Sequence, residues 1–183
     1  MTTGQQIALL RGINVGRAKR IAMADLRALV EGLGYSDVRT LLNSGNVIFT
    51  VPGTAKGDAA SRIEKAIETQ LGVSSRVTVI TAAELDAIVE ENPLLEIADN
   101  PSRLLIAVLN DKSDRTRLEP LLKEDWAPDV LALGQRVAYM WCAGGLLESR
   151  LADTVGRLLR DAATTRNWAT ILKLHALTKG QMG

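Results

Sequence analysis

The sequence is poor in cysteine, histidine and aromatic residues, and each shortage excludes a class of protein. Cys142 is the one cysteine, so no disulfide can form within the chain, and a reduced, cytoplasmic setting is the simplest interpretation. His175 is the one histidine. A zinc site needs about four nitrogen, sulfur or oxygen ligands, usually several from cysteine or histidine. The sequence therefore predicts no metal site, and nothing in it indicates a cofactor.

Aromatic residues and long apolar runs are also scarce. The aromatics are three Trp, two Tyr and one Phe. A sheet that stacks RNA bases needs two or three aromatics on adjacent strands, so nucleic-acid binding is disfavoured. No apolar run approaches the roughly 20 residues of a membrane span. Residues 1–6 lack the charged and then apolar segments of a signal peptide, and we expect no membrane association.

The composition is that of a folded chain with an uneven charge distribution. Of 183 residues, 46% are apolar and 23% are charged, and the net charge is +1. Residues 1–24 carry four basic residues and no acidic one, whereas residues 84–129 carry twelve acidic against five basic residues. Residues 130–183 carry seven basic against three acidic residues. If the two basic ends meet, they form a positive face that attracts an anion; the alternative is a scattered, solvated surface.

The first half of the chain shows a β-α-β-β-α-β pattern. Residues 6–10 are a short apolar strand, and Leu26, Leu29, Val30 and Leu33 recur at helical spacing before Gly34. Residues 38–42 and 47–51 are typical of strands joined by a hairpin, residues 58–71 of an amphipathic helix, and residues 76–80 of a strand. This order predicts a ferredoxin-like plait over residues 1–81.

The second half, residues 82–183, nearly repeats this order. A Thr81–Glu84 capping box opens a linking helix. It is followed by a strand at 103–109 and by a helix at 114–124 that contains Pro120. Strands at 130–133 and 136–141 and helices at 148–160 and 168–177 come next. A helix thus stands where the sixth strand is expected. We predict an α+β protein of two tandem ferredoxin-like plaits, the second modified with a C-terminal helix, which pack together as one compact unit.

Three polar segments are candidates for ligand binding. Residues 11–16 leave a strand, and their backbone N–H groups and glycines could face an anion. Residues 43–46 form a hairpin tip, and residues 164–173 run into a helix that Thr165 or Asn167 can cap. The candidate ligand-binding residues are Arg11, Gly12, Asn14, Gly16, Asn43, Ser44, Gly45, Asn46, Thr165, Arg166, Asn167, Trp168, Thr170 and Lys173.

Each segment also has a purely structural interpretation. The first segment is then a strand-to-helix connection whose glycines serve only its backbone conformation, and the second is a tight turn. The third is a capped helix that buries Trp168, Ile171, Leu172 and His175 against the core. A nucleophile–base pair of Cys142 and His175 is disfavoured, because a free cysteine is usually buried and inert. The adjacent acidic pairs lie in solvated charge runs, so paired-carboxylate catalysis is disfavoured too.

The same segments resemble the family of bacterial proteins catalogued as domain of unknown function 1697. The resembling stretches are residues 7–16 (IALLRGINVG), 23–34, 38–49 (VRTLLNSGNVIF) and 164–174 (TTRNWATILKL). The family often has a second glycine after its Asn-Val-Gly, where this chain has Arg17-Ala18. The resemblance implies two ferredoxin-like halves in a soluble bacterial protein, and it implies no activity.

These observations lead to one preferred function and several alternatives. The preferred hypothesis is a binding module whose three segments converge on a basic cleft for a small phosphorylated or nucleotide-like ligand. One alternative is a metal-independent enzyme that acts on such a ligand through Arg11, Lys173 and backbone donors. Others are a nucleic-acid-binding module, which predicts steep salt dependence, and a protein-partner module that uses the acidic middle segment. The sequence leaves the oligomeric state open, with a monomer favoured.

Overall fold

The computed structural model describes residues 4–54 and 57–180. Residues 1–3, part of the segment for which no signal peptide is predicted, lie outside the described residues. The strands and α-helices within the described ranges are β1 (Gly4–Leu10), α1 (Met23–Gly32), β2 (Ser36–Leu41), β3 (Asn46–Val51), α2 (Ala59–Leu71), β4 (Val77–Thr81), α3 (Ala82–Glu90), β5 (Leu104–Leu109), α4 (Arg115–Leu118), β6 (Val130–Leu133), β7 (Val137–Trp141), α5 (Arg150–Leu159), β8 (Ala163–Asn167) and α6 (Trp168–Thr178).

Two compact units divide the described chain. The second unit is Asp86–His175, and the first contains the described residues up to Leu85 together with those from Ala176 onward. The divisions fall inside α3 and α6, so two separate stretches of sequence build the first unit. No helix among the described residues has the length and apolar character needed to cross a membrane.

The first unit holds a four-stranded antiparallel sheet in the order β2-β3-β1-β4. β1 lies between two partners, and its apolar residues Ile7 to Leu10 are fully buried. This burial accounts for the continuous apolar run, because a central strand covered on both faces has no solvated side. The predicted hairpin is present, since β2 and β3 are paired antiparallel neighbours joined by residues 42–45.

Both predicted helices of the first unit bury the faces that their spacing indicates. In α1, Leu26, Leu29 and Val30 are buried in one cluster with Phe49 of β3. In α2, the Asp58 carboxylate accepts hydrogen bonds from the Ala60 and Ser61 backbone N–H groups and so caps the helix. The two helices and the sheet therefore share one apolar core.

The second unit holds another four-stranded antiparallel sheet, in the order β6-β7-β5-β8. The expectation that a helix replaces the sixth strand is wrong. Ala163–Asn167 form the strand β8, which pairs with β5 from Leu105↔Asn167 to Leu109↔Ala163. The strand is an edge strand with few apolar residues, and its pairing with β5 supplies the stability that its own sequence does not signal.

The helix predicted over residues 114–124 is also wrong in part. It is a 3₁₀ helix at Lys112–Asp114, the four-residue α4, and a further 3₁₀ helix at Glu119–Lys123. Pro120 explains the break, because it lacks an N–H donor and its ring clashes with the preceding turn. Leu118 of α4 is nonetheless buried, in a cluster with Met140 and with Val155 of α5.

The linking helix begins as predicted. The Thr81 hydroxyl accepts from the Glu84 backbone N–H at 3.1 Å, and the Glu84 carboxylate accepts from the Thr81 backbone N–H at 3.3 Å. This reciprocal pair is a capping box, which satisfies two donors at the start of α3. It allows the chain to pass from β4 into α3 without an intervening loop.

Candidate functional site

The loop that follows β1 is fixed at Arg11. The Arg11 backbone N–H donates to the Arg76 carbonyl oxygen at 2.9 Å, and the Ser75 hydroxyl donates to the Arg11 carbonyl oxygen at 2.9 Å. The Arg11 residue is half-buried. Gly12 follows with φ +70°, in the left-handed region that glycine adopts without strain. The end of β1 is therefore anchored, and Gly12 sets the direction in which the loop leaves it.

The Asn14 side chain holds this loop together. Its amide nitrogen donates to the Ile21 carbonyl oxygen at 2.9 Å and to the Asn43 carbonyl oxygen at 2.8 Å. Its amide oxygen accepts from the Ile21 backbone N–H at 2.8 Å. Both amide hydrogens have protein partners in this arrangement. Asn14 thus closes the loop at its base and joins it to the hairpin tip.

A tight turn, closed by a single β-bridge, extends beyond Asn14. The Asn14 backbone N–H donates to the Lys19 carbonyl oxygen at 3.0 Å, and Val15 and Ala18 form a β-bridge. The turn between them contains Gly16, at φ +63°. All residues from 15 to 20 are exposed. We call residues 14–20 the basic finger, because they include Arg17, Lys19 and Arg20 and no acidic residue.

The hairpin tip is packed closely against the loop. The Leu10 backbone N–H donates to the Gly45 carbonyl oxygen at 2.9 Å. Gly45 has φ +88°, and a Cβ atom there would lie 2.7 Å from Ile13 Cδ1. Asn46 is fully buried, and its amide donates to the Leu41 carbonyl oxygen and to the Ser44 hydroxyl oxygen. Gly45 and Asn46 therefore shape the tip, which leaves Asn43 and Ser44 exposed.

The structure brings the first two predicted segments into contact. Residues 11–16 and 43–46 meet through Asn14 and Gly45, at the end of the first sheet where β1 finishes. Residues 4–24 contain four cations and no carboxylate, the first acidic residue being Asp25. Backbone N–H groups in left-handed and turn conformations form concavities suited to anions. The chemistry available here is recognition of negative charge.

The third predicted segment lies in the second unit, in β8 and the start of α6. The Asn167 amide oxygen accepts from the Thr170 backbone N–H at 2.9 Å, so Asn167 is the residue that caps the helix. Trp168 and Thr170 are buried, whereas Thr165 and Lys173 are exposed. The convergence of this segment with the first two remains a prediction.

Arg166 of this segment is a half-buried cation. Its guanidinium donates to the Thr165 carbonyl oxygen at 3.0 Å. Burial lowers the pKa of Arg166 to about 10, because desolvation disfavours the charged form. A group with this pKa is still protonated at neutral pH. Arg166 therefore brings a weakly hydrated positive charge to β8.

The buried face of α6 differs from the predicted one. Trp168, Ile171 and Leu174 are buried, but Leu172 is 40% exposed. His175 is half-buried, and its Nε2 lies 2.8 Å from Asp86 Oδ1. The interpretation of Leu172 as a core residue is therefore wrong, because the apolar stripe follows Leu174 instead, whereas His175 is partly buried with Asp86 as its partner.

The disfavoured pairing of Cys142 with His175 gains no support from the second unit. Cys142 is fully buried, and burial raises the pKa of its thiol. The Ser149 hydroxyl opposes this pKa shift, and the nearby Asp129 charge adds to it. A thiol with a raised pKa is a poor nucleophile at neutral pH. His175 is engaged instead by Asp86 of α3.

An open groove of about 760 Å³ lies elsewhere in the first unit. Its lining residues are Gln5, Arg27, Glu31, Tyr35, Ser36, Asp37, Val38 and Arg39. None of them belongs to the predicted ligand-binding set. The charges of Arg27 and Glu31 are paired at 2.8 Å, and the other charged lining residues, Asp37 and Arg39, are of opposite sign, so the groove has no excess of positive residues.

Two features of the site are missing from the sequence-based prediction. The predicted residues do not include Arg17, Lys19 or Arg20, although the excess of basic residues near the N-terminus is a visible signal for them. The pair of His175 and Asp86 spans 89 positions, and no local pattern signals it. Within residues 4–54 and 57–180, no group of three or more His, Cys, Asp or Glu residues could hold a metal ion.

The fold and site define an α+β protein with two four-stranded antiparallel sheets, six described α-helices and a basic loop beside a hairpin tip. The chain belongs to the family described as protein of unknown function (DUF1697), whose model matches residues 3–139. The resemblance noted in the sequence is thereby confirmed. A comparison with curated proteins finds no match.

Two solved structures resemble the chain to different degrees. The conserved bacterial protein SP0830 from Streptococcus pneumoniae is 20% identical, with 97% of this chain and 99% of that chain covered and a TM-score of 0.78. This likeness shows a shared fold. Protein BT0572 from Bacteroides thetaiotaomicron is 9% identical, with 93% of this chain and 96% of that chain covered, and its TM-score of 0.21 is too low to show a shared fold.

Proposed function

We propose that the chain binds a small anionic ligand, phosphorylated or nucleotide-like, where the loop after β1 meets the first hairpin tip. The observation that carries this proposal is the contact between Asn14 and the Asn43 carbonyl oxygen, which joins two polar segments beside a half-buried arginine. The absence of any acidic residue in residues 4–24 adds to it. The loop itself contributes positive charge and no carboxylate, while the Glu64 carboxylate, which accepts from the adjoining Val77 N–H, is paired with Arg76.

The residues of the proposed site fall into two roles. Asn14 and Asn46 are positioning residues, because their amide hydrogens are used to hold the loop and the tip. Arg11 is the proposed ligand contact, since a guanidinium presents a fork of donors that matches phosphate oxygens. Asn43 and Ser44 are exposed at the tip and supply further polar contacts in this proposal.

We further propose that Thr165, Arg166 and Lys173 of the second unit also contact an anionic ligand, as the sequence predicts. The support for this extension is chemical. A half-buried arginine is less hydrated than an exposed one, so it has less water to shed when an anion arrives. Trp168 is buried, which favours its packing beneath such a site over its stacking on a base.

We also propose that each half of the chain folds as a ferredoxin-like plait. The order β2-β3-β1-β4 with two helices, and β6-β7-β5-β8 in the second unit, support a ferredoxin-like plait in each half of the chain, residues 1–81 and 82–183. A cytoplasmic location is proposed because the one cysteine is a buried thiol. A monomer is proposed as the working state.

A thermal-shift experiment tests the proposed ligand. The probes are inorganic phosphate, pyrophosphate, nucleoside monophosphates and sugar phosphates. At a concentration 100 times the Kd, a ligand that binds the native state stabilises it by about 2.7 kcal/mol, which raises the Tm of a chain this long by roughly 5–10 °C. The variant Arg11→Gln loses a charge-assisted hydrogen bond, so we expect its affinity to fall about 10- to 100-fold.

The matched control is Arg27→Gln. Arg27 lies on α1 in the same unit, is exposed, and pairs with Glu31 on the helix surface, so its loss has little effect on stability. The control is expected to keep the full ligand-induced shift. Equal shifts in Arg11→Gln and Arg27→Gln, or no shift with any probe, would contradict the proposal.

A further inference from the structure

The basic finger adopts a conformation that its sequence does not favour. Lys19 has φ +52° and Asn14 has φ +54°. A non-glycine residue in the left-handed region costs roughly 1–2 kcal/mol, and lysine lacks the short polar side chain that makes this region accessible to asparagine. Nothing is buried in return, because residues 15–20 are exposed. Strain that persists in an exposed segment is a physical reason to look for a binding role.

The charges of the finger are available for a partner. No ion pair involves Arg17, Lys19 or Arg20 among residues 4–54 and 57–180. The three cations lie within four consecutive positions at the end of a projection that the Asn14 amide holds at its base. The finger therefore presents a compact and oriented positive surface.

The shape of the finger narrows the kind of partner. It is a tight turn, closed by the isolated Val15–Ala18 bridge and the hydrogen bond from Asn14 to Lys19. The major groove of duplex DNA is about 12 Å wide and admits elements as wide as an α-helix or two adjacent strands, with phosphates along both of its edges. A turn that carries three cations can place its backbone in the groove and its charges on the phosphates.

We propose that the basic finger enters the groove of a nucleic-acid duplex and that Arg17, Lys19 and Arg20 contact its phosphates. This interaction goes beyond the small-anion site, which depends on Arg11. It requires no exposed aromatic residues, because phosphate contacts do not involve base stacking. An anionic membrane is the less suitable partner. Val15 is the one large apolar side chain exposed on the finger, and three cations supply only about 3 kcal/mol of attraction to such a surface.

The proposal gives a quantitative salt dependence. Three phosphate contacts on duplex DNA give a slope of log affinity against log salt of about −2.7. Affinity then falls roughly 40-fold between about 50 and 200 mM salt. The experiment measures fluorescence anisotropy of a labelled mixed-sequence DNA duplex with the full chain over this range. The same titration is repeated with phosphatidylserine-containing vesicles in a sedimentation assay.

Two triple variants distinguish the contribution of the basic finger from that of the protein's overall positive charge. In the test variant, Arg17, Lys19 and Arg20 are each changed to Gln; in the control, the exposed residues Lys65, Lys112 and Lys123 are each changed to Gln. Both lose the same net charge. We expect the test variant to lose the salt slope and the control to keep most of it. Circular dichroism confirms that both are folded.

Several results would overturn the proposal. They are an unchanged slope in the test variant, equal losses in both variants, or affinity for the native chain that does not change with salt. Binding to vesicles without binding to the duplex would also overturn it. None of these results bears on the small-anion site, because the test variant keeps Arg11 and its thermal shift with phosphate is measured separately.

Discussion

Replacing Asn14 with alanine is expected to release the basic finger while the first unit stays folded. The substitution removes three hydrogen bonds, two that connect Asn14 with the Ile21 backbone and one to the Asn43 carbonyl oxygen. Each is worth about 1 kcal/mol net. Ile21 is only 5% exposed, so water replaces these partners poorly. Alanine also tolerates the positive φ less well than asparagine.

The three lost hydrogen bonds and the less favourable backbone conformation together lower the local stability of the finger by about 3–4 kcal/mol. This is a large share of the 5–15 kcal/mol that holds a typical domain together. The loss should appear mainly as opening of residues 14–20, because the strand that precedes them stays anchored at Arg11 through Arg76 and Ser75. An opening equilibrium shifted by about 3 kcal/mol increases the open population roughly 100-fold.

Limited trypsin digestion measures this opening directly. The finger contains three trypsin sites, after Arg17, Lys19 and Arg20, and mass spectrometry identifies each cut. When reclosing is fast, the cleavage rate follows the open population. We expect cleavage within the finger to be about 100-fold faster in Asn14→Ala than in the native chain.

Two further variants make the test specific. Asn14→Gly removes the same hydrogen bonds, but glycine tolerates the positive φ. The free energy needed to open the finger should therefore be about 1 kcal/mol higher in Asn14→Gly than in Asn14→Ala. Asn43→Ala keeps the backbone carbonyl that accepts from Asn14, so its finger should be cleaved at the native rate. If Asn14→Ala is also cleaved at the native rate, the amide does not hold the finger and the reasoning is wrong.

Two other perturbations follow from the structure. Gly45→Ala should lower the free energy of unfolding by about 2–5 kcal/mol, from left-handed strain and the clash with Ile13, whereas Gly12→Ala, with open space around it, should lower it by only about 1–2 kcal/mol. Urea unfolding of both variants checks this, and equal losses would contradict it. Burial and the nearby Glu91 charge raise the pKa of Tyr139 from 10.0 to about 12. The unfolded state therefore loses its proton first, and stability should fall as pH rises from 10 towards 12, by at most about 1.4 kcal/mol per pH unit. Melting temperatures should show a weaker decline in Tyr139→Phe, and parallel declines in the two proteins would contradict the assignment.

Local patterns predicted those parts of the fold that local interactions determine. Helices α1 and α2 follow from apolar spacing, and the capping box at Thr81 and Glu84 is present with both hydrogen bonds. Strand β8 could not be predicted in this way. Its Thr164 is buried and paired with Val108, more than fifty positions earlier in the chain, and that partner is not visible from the segment alone.

The site was predictable to a similar extent. The polar segments at Asn14 and Asn43 stand out by composition, and the structure places them in contact. The role of each asparagine in these segments could not be predicted, because the sequence does not distinguish an amide that binds a ligand from one that donates to a backbone carbonyl. The basic finger depends on positive φ values at Asn14 and Lys19, and lysine gives no local signal for such a turn.

The division inside α3 and α6 affects how the chain can fold during synthesis. The segment from Ala176 onward belongs to the first unit, yet the ribosome makes it after all of Asp86–His175. Within the first unit, the Arg39 guanidinium donates to the Leu177 carbonyl oxygen at 3.2 Å, a contact that no nascent chain shorter than 177 residues can form. Synthesis of the first unit therefore starts before that of the second unit and finishes after it. The second unit can fold while the last helical turn of the first unit has not yet been synthesised.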